Sequence, residues 1–235
     1  MRTLISRTAT AFSLAIAVSS LSAGTLTTAA LSVNGTPVDV QGITGFTTLG
    51  SGMAGLNITA TFLSGGPSST CVWAATTATA GGCSTPLFTM TLDGDTFNAP
   101  WVFSTTPGGS PVASLFFDGV PGGVGTRTSG TVFDRTFGGA IGTDGTSTGK
   151  DANGTTTGDD GTATYQDVLT IGGAATSGDV YGRVLIRFGA DGITAANFVM
   201  DTDSVGLPGG VPEPSTWAML GGALLGLGLM RSRGK

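Results

Sequence analysis

Apolar and polar residues alternate with a period of two in several short stretches of this chain. Between Leu56 and Phe62 every second residue is apolar, and the residues between them are Asn or Thr. The same alternation runs from Arg183 to Phe188, where two arginines oppose three apolar positions. A period of two places alternate side chains on opposite faces of a strand. Both stretches are therefore predicted to be half-buried antiparallel strands.

Further short runs of the same kind lie between Gly, Pro and Asp-Gly breaks, which are typical of turns. These additional predicted strands are Ser32 to Val40, Leu87 to Asp93, Trp101 to Ser104, Val112 to Asp118, Gly130 to Thr136, Thr164 to Ile171 and Ala196 to Asp201. Nine or ten short strands predict an all-β fold, a single antiparallel β-sandwich of the jelly-roll or immunoglobulin-like kind. The predicted core consists of the large apolar residues Phe62, Phe88, Met90, Phe97, Trp101, Phe103, Leu115, Phe117, Phe133, Tyr165, Leu169, Ile186, Phe188 and Phe198.

The composition favours strands over helices. The 235 residues include 41 Gly but a single Glu, and Lys150 is the only Lys before the C-terminal tail. Good helix formers are depleted, and turn and strand residues are abundant. Helices are therefore expected only at the two ends of the chain.

The N-terminus has the features of a secretory signal helix. Arg2 and Arg7 precede an apolar stretch that extends to Leu21, and small residues suitable for cleavage follow. The signal peptide is predicted to cover residues 1–23, with residue 30 as the latest alternative end. The chain is then exported by the Sec machinery, and residues 24–210 form the β-sandwich domain.

The C-terminus has the features of a short transmembrane helix. Seventeen uncharged residues separate Glu213 from Arg231, and as a helix they span roughly 25 Å. A basic tail follows, formed by Arg231, Arg233 and Lys235. Positive charge next to a membrane span marks its cytoplasmic end, so the domain before it lies outside the inner membrane.

An unusual tetrapeptide precedes this helix: Val211, Pro212, Glu213 and Pro214. The two prolines favour a short, stiff, extended rod. The tetrapeptide, the apolar helix and the basic tail together resemble the PEP-CTERM sorting signal of Gram-negative bacteria. The resemblance covers residues 211–235 and implies processing by an exosortase, a membrane-embedded protease that recognises Pro212 to Pro214. A plain C-terminal anchor is the alternative interpretation.

This resemblance also implies a destination. Proteins with such a signal are anchored in the inner membrane only transiently, then trimmed and retained at the cell surface or outside the cell, in association with exopolysaccharide and the biofilm matrix. The expected function is therefore that of an exported, non-catalytic matrix protein.

The charges and the missing residue types restrict the possible chemistry. The region from 24 to 210 contains five bases and fourteen acids, a net charge of −9, which disfavours nucleic acid as a partner. The chain contains no His, so Ser-His-Asp triads, Cys-His pairs and His-based metal sites are excluded. The remaining enzymatic alternative is an Asp-pair glycoside hydrolase, and we expect no enzyme.

A carbohydrate-binding module is the second functional hypothesis. Sugars commonly stack on exposed aromatic side chains, and the candidates here are Trp73, Trp101 and Tyr181, with Tyr165 beside them. The hypothesis is supported if two or three of them line an exposed face, and it is disfavoured if they are buried. Trp73 is expected to be the most exposed.

The only two cysteines, Cys71 and Cys83, are predicted to form a disulfide that closes a small Gly/Ala/Thr-rich loop. Residues 138–162 are predicted to form a mobile surface loop, because they contain almost no large apolar side chains. No cofactor is expected. Weak calcium candidates are Asp151 with Asn153 and Asp201 with Asp203, but solvated Asp residues in turns are the favoured interpretation.

Overall fold

The structure of the protein, a computed structural model, describes residues 23–29, 38–63, 65–122, 127–135, 149–175 and 180–207. The predicted all-β fold is confirmed over this part of the chain, where the single helical element is a 3₁₀ turn at Gly50–Met53. The predicted signal helix and transmembrane helix lie outside the described residues. Within the described ranges, no helix has the length and apolar character needed to cross a bilayer.

Seventeen strands form one network of backbone pairing. In chain order they are β1 Ala23–Thr28, β2 Val38–Val40, β3 Ile43–Gly45, β4 Asn57–Phe62, β5 Ser69–Val72, β6 Ala74–Ala75, β7 Ala80–Ser84, β8 Phe88–Asp93, β9 Trp101–Thr105, β10 Val112–Asp118, β11 Thr131–Asp134, β12 Asn153–Gly158, β13 Gly161–Ile171, β14 Ala174–Ala175, β15 Val180–Phe188, β16 Ile193–Val199 and β17 Thr202–Val205.

Two groups of strands make up most of this network. In the β15 group, β13, β15, β10, β4 and β5 are neighbours in that order. In the β16 group, the order is β12, β16, β9, β8 and β7. Strand β1 pairs with β12 along its first half and with β13 along its second half, which joins the groups. The two separate sheets of a sandwich are therefore not confirmed, because the pairing is continuous.

The sheet is also mixed rather than wholly antiparallel. Strand β1 runs parallel to β13, and β2 does so as well. Strands β12 and β13 follow each other through a tight turn and run in opposite directions. A strand that pairs antiparallel with β12 must therefore run parallel to β13. Alternation along one strand cannot reveal this pairing, because it says nothing about strand direction.

The strands with the clearest alternation lie close to their predicted positions. Strand β10 has the predicted bounds, and β4 begins one residue after Leu56. Along β4 the apolar residues Ile58, Ala60 and Phe62 are buried. Burial of one face explains why period two predicts these elements well.

The prediction of a mobile loop over residues 138–162 is wrong for its second part. Strand β12 and the start of β13 lie there, while residues 138–148 are outside the described part of the chain. Strand β12 pairs with β1 on one side and with β16 on the other. Its backbone hydrogen bonds and its Thr residues, which favour strands, replace the apolar burial that the sequence lacks.

Aromatic side chains fill the space between the two strand groups. The ring of Trp101, from β9, lies 5.6 Å from that of Phe117 on β10 and 6.2 Å from that of Phe198 on β16. Phe97 and Phe188 are half-buried, and the other predicted core residues are buried. A smaller apolar cluster lies between β2, β11 and β17 and includes Val40, Val132 and Val205.

The predicted disulfide between Cys71 and Cys83 is confirmed, with the Cα atoms 5.6 Å apart. Cys71 lies on β5 and Cys83 on β7, the strands farthest from β1 in the pairing order of the two groups. The groups are thus joined by β1 at one edge and by a covalent bond at the other. A closed loop of this size contributes about 3 kcal/mol, mainly by restricting the unfolded chain.

Candidate functional site

The sorting residues predicted from the sequence, Val211 to Pro214 with the tail from Arg231 to Lys235, lie outside the described residues. Within the described part, the densest group of chemically active side chains consists of Asp134, Asp201 and Asp203. Each offers a carboxylate oxygen, and these oxygens lie within 4.8 Å of one another. All three residues are buried, with at most 1% of their surface exposed.

Backbone hydrogen bonds hold this carboxylate cluster together. The amide of Asp134 donates to the carbonyl of Asp201 (3.2 Å), and the amide of Asp201 donates to the carbonyl of Lys150 (3.2 Å). The amide of Lys150 donates in turn to the carbonyl of Asp134 (3.3 Å). Gly149 approaches so closely that an added Cβ would lie 2.6 Å from Oδ1 of Asp134. The end of β11, the start of β17 and the segment before β12 therefore meet at the cluster.

Asp201 has the best defined environment of the three. Its Oδ1 accepts hydrogen bonds from Oγ1 of Thr96 (3.1 Å) and from the amide of Thr202 (2.9 Å). Burial raises the pKa of Asp201 to about 7, although these hydrogen bonds and the charge of Lys150 oppose the rise. Asp201 therefore holds its proton at pH values where an ordinary Asp is ionised.

Two cations lie close to Asp134 along the backbone: the amide of Lys150 donates to the carbonyl of Asp134, and Arg135 follows Asp134 in the chain. Nζ of Lys150 donates to the carbonyl of Phe97 (2.8 Å) and lies 4.6 Å from the centre of the Phe97 ring. Arg135 pairs with Asp151 through Nε and Nη2, at 3.1 Å each. The guanidinium also lies 5.2 Å from the centre of the Tyr165 ring.

Tyr165 is buried beneath this ion pair, and its hydroxyl oxygen accepts a hydrogen bond from the amide of Ala152 (3.0 Å). Burial raises the pKa of Tyr165, so its hydroxyl stays neutral. Tyr165 is thus a structural residue of the core rather than an acid or a base in chemistry.

The cluster brings together one pair of the sequence candidates for calcium and separates the other. Asp201 and Asp203 lie two residues apart and meet, whereas Asp151 pairs with Arg135 and Asn153 is exposed on β12. Asp134 was missed by sequence reasoning. The available signal was a carboxylate at the end of a predicted strand, next to Phe133.

Such a group of oxygens could share a proton or hold a divalent cation such as Ca²⁺, which takes six to eight oxygen ligands. Because its members are buried, the cluster cannot touch a glycosidic bond in a polymer at the surface. The Asp-pair hydrolase thus gains no support from this group.

The aromatic candidates for sugar stacking are all buried, including Trp73, for which the sequence predicts the greatest exposure. Trp73 is 1% exposed, Trp101 0% and Tyr181 4%. Nε1 of Trp73 donates to the carbonyl of Gly50 (2.7 Å), and that of Trp101 donates to the carbonyl of Met200 (3.0 Å). An indole whose N–H has a backbone acceptor can be buried at little cost, so its large apolar ring joins the core.

Comparison with known proteins identifies the C-terminal segment. Residues 210–233 match the PEP-CTERM protein-sorting motif. No curated protein and no solved structure matches the chain. The chain thus carries a sorting motif of exported proteins, attached to a domain for which the comparisons provide no relative.

Proposed function

We propose that this chain is an exported, non-catalytic protein that is processed through its C-terminal signal and retained at the cell surface in the exopolysaccharide matrix. The observation that carries this proposal is the PEP-CTERM protein-sorting motif at residues 210–233. The motif implies C-terminal sorting of an exported protein. The retention in the matrix and the processing by an exosortase go beyond what the motif match shows and belong to our proposal.

The two ends of the sequence support export independently. The basic and apolar N-terminus has the features of a secretory signal, and the basic C-terminal tail is expected to orient the predicted transmembrane helix with the domain outside. In the sequence, Val211 to Pro214 come between the domain and this predicted helix, where a membrane-embedded protease of the exosortase type can recognise them. The helix and the tail are then removed.

The domain offers support for a structural role. Among the described residues, the densest group of carboxylates is buried away from any polymer, and the chain has no His to act as a base. A carbohydrate-binding module that works by aromatic stacking is not favoured, because Trp73, Trp101 and Tyr181 belong to the core. A stable, inert β domain suits a protein whose task is to persist outside the cell.

The decisive experiment is mass spectrometry of the protein recovered from the outside of its native host. We expect the residues after the motif to be absent, including Lys235. Replacement of Pro212, Glu213 and Pro214 by Ala should block this trimming and surface retention. The matched control is Pro208→Ala, which changes a nearby proline outside the tetrapeptide. Normal trimming of the triple variant contradicts the proposal.

The same spectra locate the mature N-terminus. Strand β1 starts at Ala23, pairs with β12 and β13, and buries Leu26 to 1% exposure. Cleavage after residue 30 would remove this whole strand. We therefore expect the mature chain to begin at or before residue 24. A start at residue 31 would show that the fold does without β1.

A further inference from the structure

We propose that the outward face of the β16 group binds a neutral polysaccharide through an array of short polar side chains. This inference rests on the proposed matrix function and adds the binding surface and the class of partner. We call this surface the threonine face. Its first row consists of Thr25, Thr155, Asn197, Val102 and Thr91, which are neighbours on five successive strands.

A second row runs beside the first. It consists of Ala23, Thr157, Ala195, Ser104, Thr89 and Ser84, again neighbours on successive strands. Adjacent strands are about 4.8 Å apart, so five of them present a surface roughly 19 Å wide. The side chains are short and mostly β-branched, with few rotamers to lose on binding. The side chains of the face therefore lose little conformational freedom on binding.

The threonine face carries charge only at its two ends, where Asp93 ends β8 and where Oδ1 of Asp160 accepts a hydrogen bond from Oγ1 of Thr25 (2.9 Å). Strands β1, β12, β16, β9, β8 and β7 contain one charged residue, Asp93, at the end of β8. The corresponding outward row of the β15 group contains Arg183 and Asp118 side by side. A neutral surface loses little hydration energy when a neutral partner covers it, whereas a charged surface loses much more.

The hydroxyl groups on the face have hydrogen-bonding capacity for a polyol. Oγ1 of Thr89 and Oγ of Ser104 share a hydrogen bond of 3.0 Å, and Oγ1 of Thr157 donates to the carbonyl of Ala195 (2.9 Å). A hydroxyl can donate once and accept twice, so groups oriented in this way can still accept from a sugar hydroxyl. Asn197 adds an amide with both donors and an acceptor.

A groove of about 340 Å³ lies at one end of the face and is lined in part by Thr91, Asp93, Pro100 and Val102. Small-molecule sites commonly have volumes of this order. Val102 is 41% exposed and offers an apolar contact to the C–H groups of a sugar ring. Oδ1 of Asp93 accepts from Oγ1 of Thr79 (2.8 Å), and the carboxylate has a second oxygen for a sugar hydroxyl. The groove is therefore a place where one part of the polymer can be held.

The charge of the domain selects among the possible partners. With a net charge of −9 over residues 24–210, the domain repels both an anionic polymer and a second copy of itself. A neutral polysaccharide meets no such repulsion and supplies the hydroxyl groups that the face can bind. Because the aromatic side chains are buried, each contact is weak, and binding depends on many contacts along one polymer chain.

The test uses full-length protein in a detergent without a sugar headgroup. The probes are the neutral and acidic polysaccharide fractions of the producing cells, separated by anion exchange and immobilised. We expect binding to the neutral fraction. The double variant Thr91→Lys with Thr155→Lys should bind about tenfold more weakly, because each added charge must be desolvated. The matched control is Thr61→Lys with Thr162→Lys, at exposed positions on β4 and β13 of the β15 group, and it should bind within about twofold of the original.

Equal binding by both double variants, or preference for the acidic fraction, would overturn the inference. A third contradicting result would be a dimer of the original protein, seen by sedimentation, that is lost in the Thr91/Thr155 variant. That result would assign the face to contact with a second copy of the chain. Thermal midpoints of all variants show whether they are folded. Failure of the proposed function has a different signature, since the Pro212, Glu213 and Pro214 variant would then be trimmed and retained whatever the binding assay shows.

Discussion

Two groups of ionisable side chains among the described residues differ in composition: one contains a cation with two carboxylates, and the other consists of three carboxylates. In the first, Arg183 bridges two carboxylates, those of Asp118 and Asp167. In the second, the carboxylates of Asp134, Asp201 and Asp203 gather within 4.8 Å. In the first group the guanidinium supplies a counter-charge, whereas in the second burial raises the pKa of Asp201 to about 7. The contribution of the first group to the free energy of unfolding should therefore change little between pH 5 and pH 8. The contribution of the second group should depend on pH in this range.

The largest effect should follow from removal of the bridging cation. Arg183→Met keeps much of the side-chain volume but leaves Asp118 and Asp167 without their guanidinium. We expect a loss of about 3 kcal/mol in the free energy of unfolding, near the lower end for a buried pair because Arg183 is 26% exposed. Urea denaturation measures it. Arg187→Met, on the same strand but exposed, is the control and should change stability by less than about 0.5 kcal/mol.

The next effect is a dependence on pH that arises in the carboxylate cluster. The pKa of Asp201 is about 7 in the folded protein and 3.8 in the unfolded chain. Between these values the folded state binds more protons, so the free energy of unfolding falls as pH rises from about 4 to about 7. We expect the protein to be about 2–3 kcal/mol more stable at pH 5 than at pH 8.

Other groups act in the opposite sense, but in another pH range. The pKa values of Asp39 and Asp160 are lowered by hydrogen bonds, chiefly from the amides of Gly173 and Thr25. The stability that they contribute is present above pH 4 and is lost as pH falls further. Urea titrations at pH 5 and pH 8 therefore report on the cluster. Equal stability at the two pH values would show that Asp201 titrates normally.

A smaller effect should follow from removal of the titrating group itself. In Asp201→Asn the side-chain oxygen can still accept from Thr96 and Thr202, but it cannot become charged. We expect the variant to be about 1–3 kcal/mol more stable than the original at pH 8 and nearly equal to it at pH 5. Asp191→Asn, at an exposed turn position, should leave the pH dependence unchanged. A destabilised Asp201→Asn protein at pH 8 would show that the ionised carboxylate is needed.

The smallest effect should be that of metal removal. If the cluster holds no divalent cation, EDTA at pH 8 should move the thermal midpoint by less than about 1 °C. A change of 1 kcal/mol in a domain of this size shifts the midpoint by about 2–4 °C, so bound calcium would be detected. A fall of several degrees in EDTA that is reversed by CaCl₂ would identify the cluster as a cation site.

Local sequence patterns predicted the strands and turns that depend mainly on neighbouring residues in the chain. Strand β10 and the apolar side of β4 were predicted from a period of two, because a strand with one buried face needs an apolar residue at every second position. The left-handed conformations at Gly94 and Gly192 follow from the Asp-Gly pairs at strand ends. Strand β12 was missed because its place depends on backbone pairing with two neighbours, which requires few large apolar side chains.

The candidate site was predictable only in part. The spacing of Asp201 and Asp203 places both on one side of an extended segment, but nothing local connects them with Asp134, 67 residues earlier. The contact of Asp167 with Arg183 could not be predicted from the local sequence either. It lies between the paired residues Gln166 and Val168 with a φ of 58°, and this irregularity aims its carboxylate at Arg183. Asp tolerates the left-handed region better than most residues, but the sequence does not say which Asp uses it.

By itself the sequence determined the C-terminal sorting motif and the strand-rich character of this protein. Both depend on contiguous residues: the motif at residues 210–233, and the alternation or turn residues that precede it. The tertiary structure alone decided which side chains share a space. It buried Trp73 and Trp101, gathered three aspartates from two separate segments, and placed short polar side chains of six strands on one face. Contacts of this kind depend on strand order and direction, which long-range backbone pairing sets and which local residue preferences do not encode.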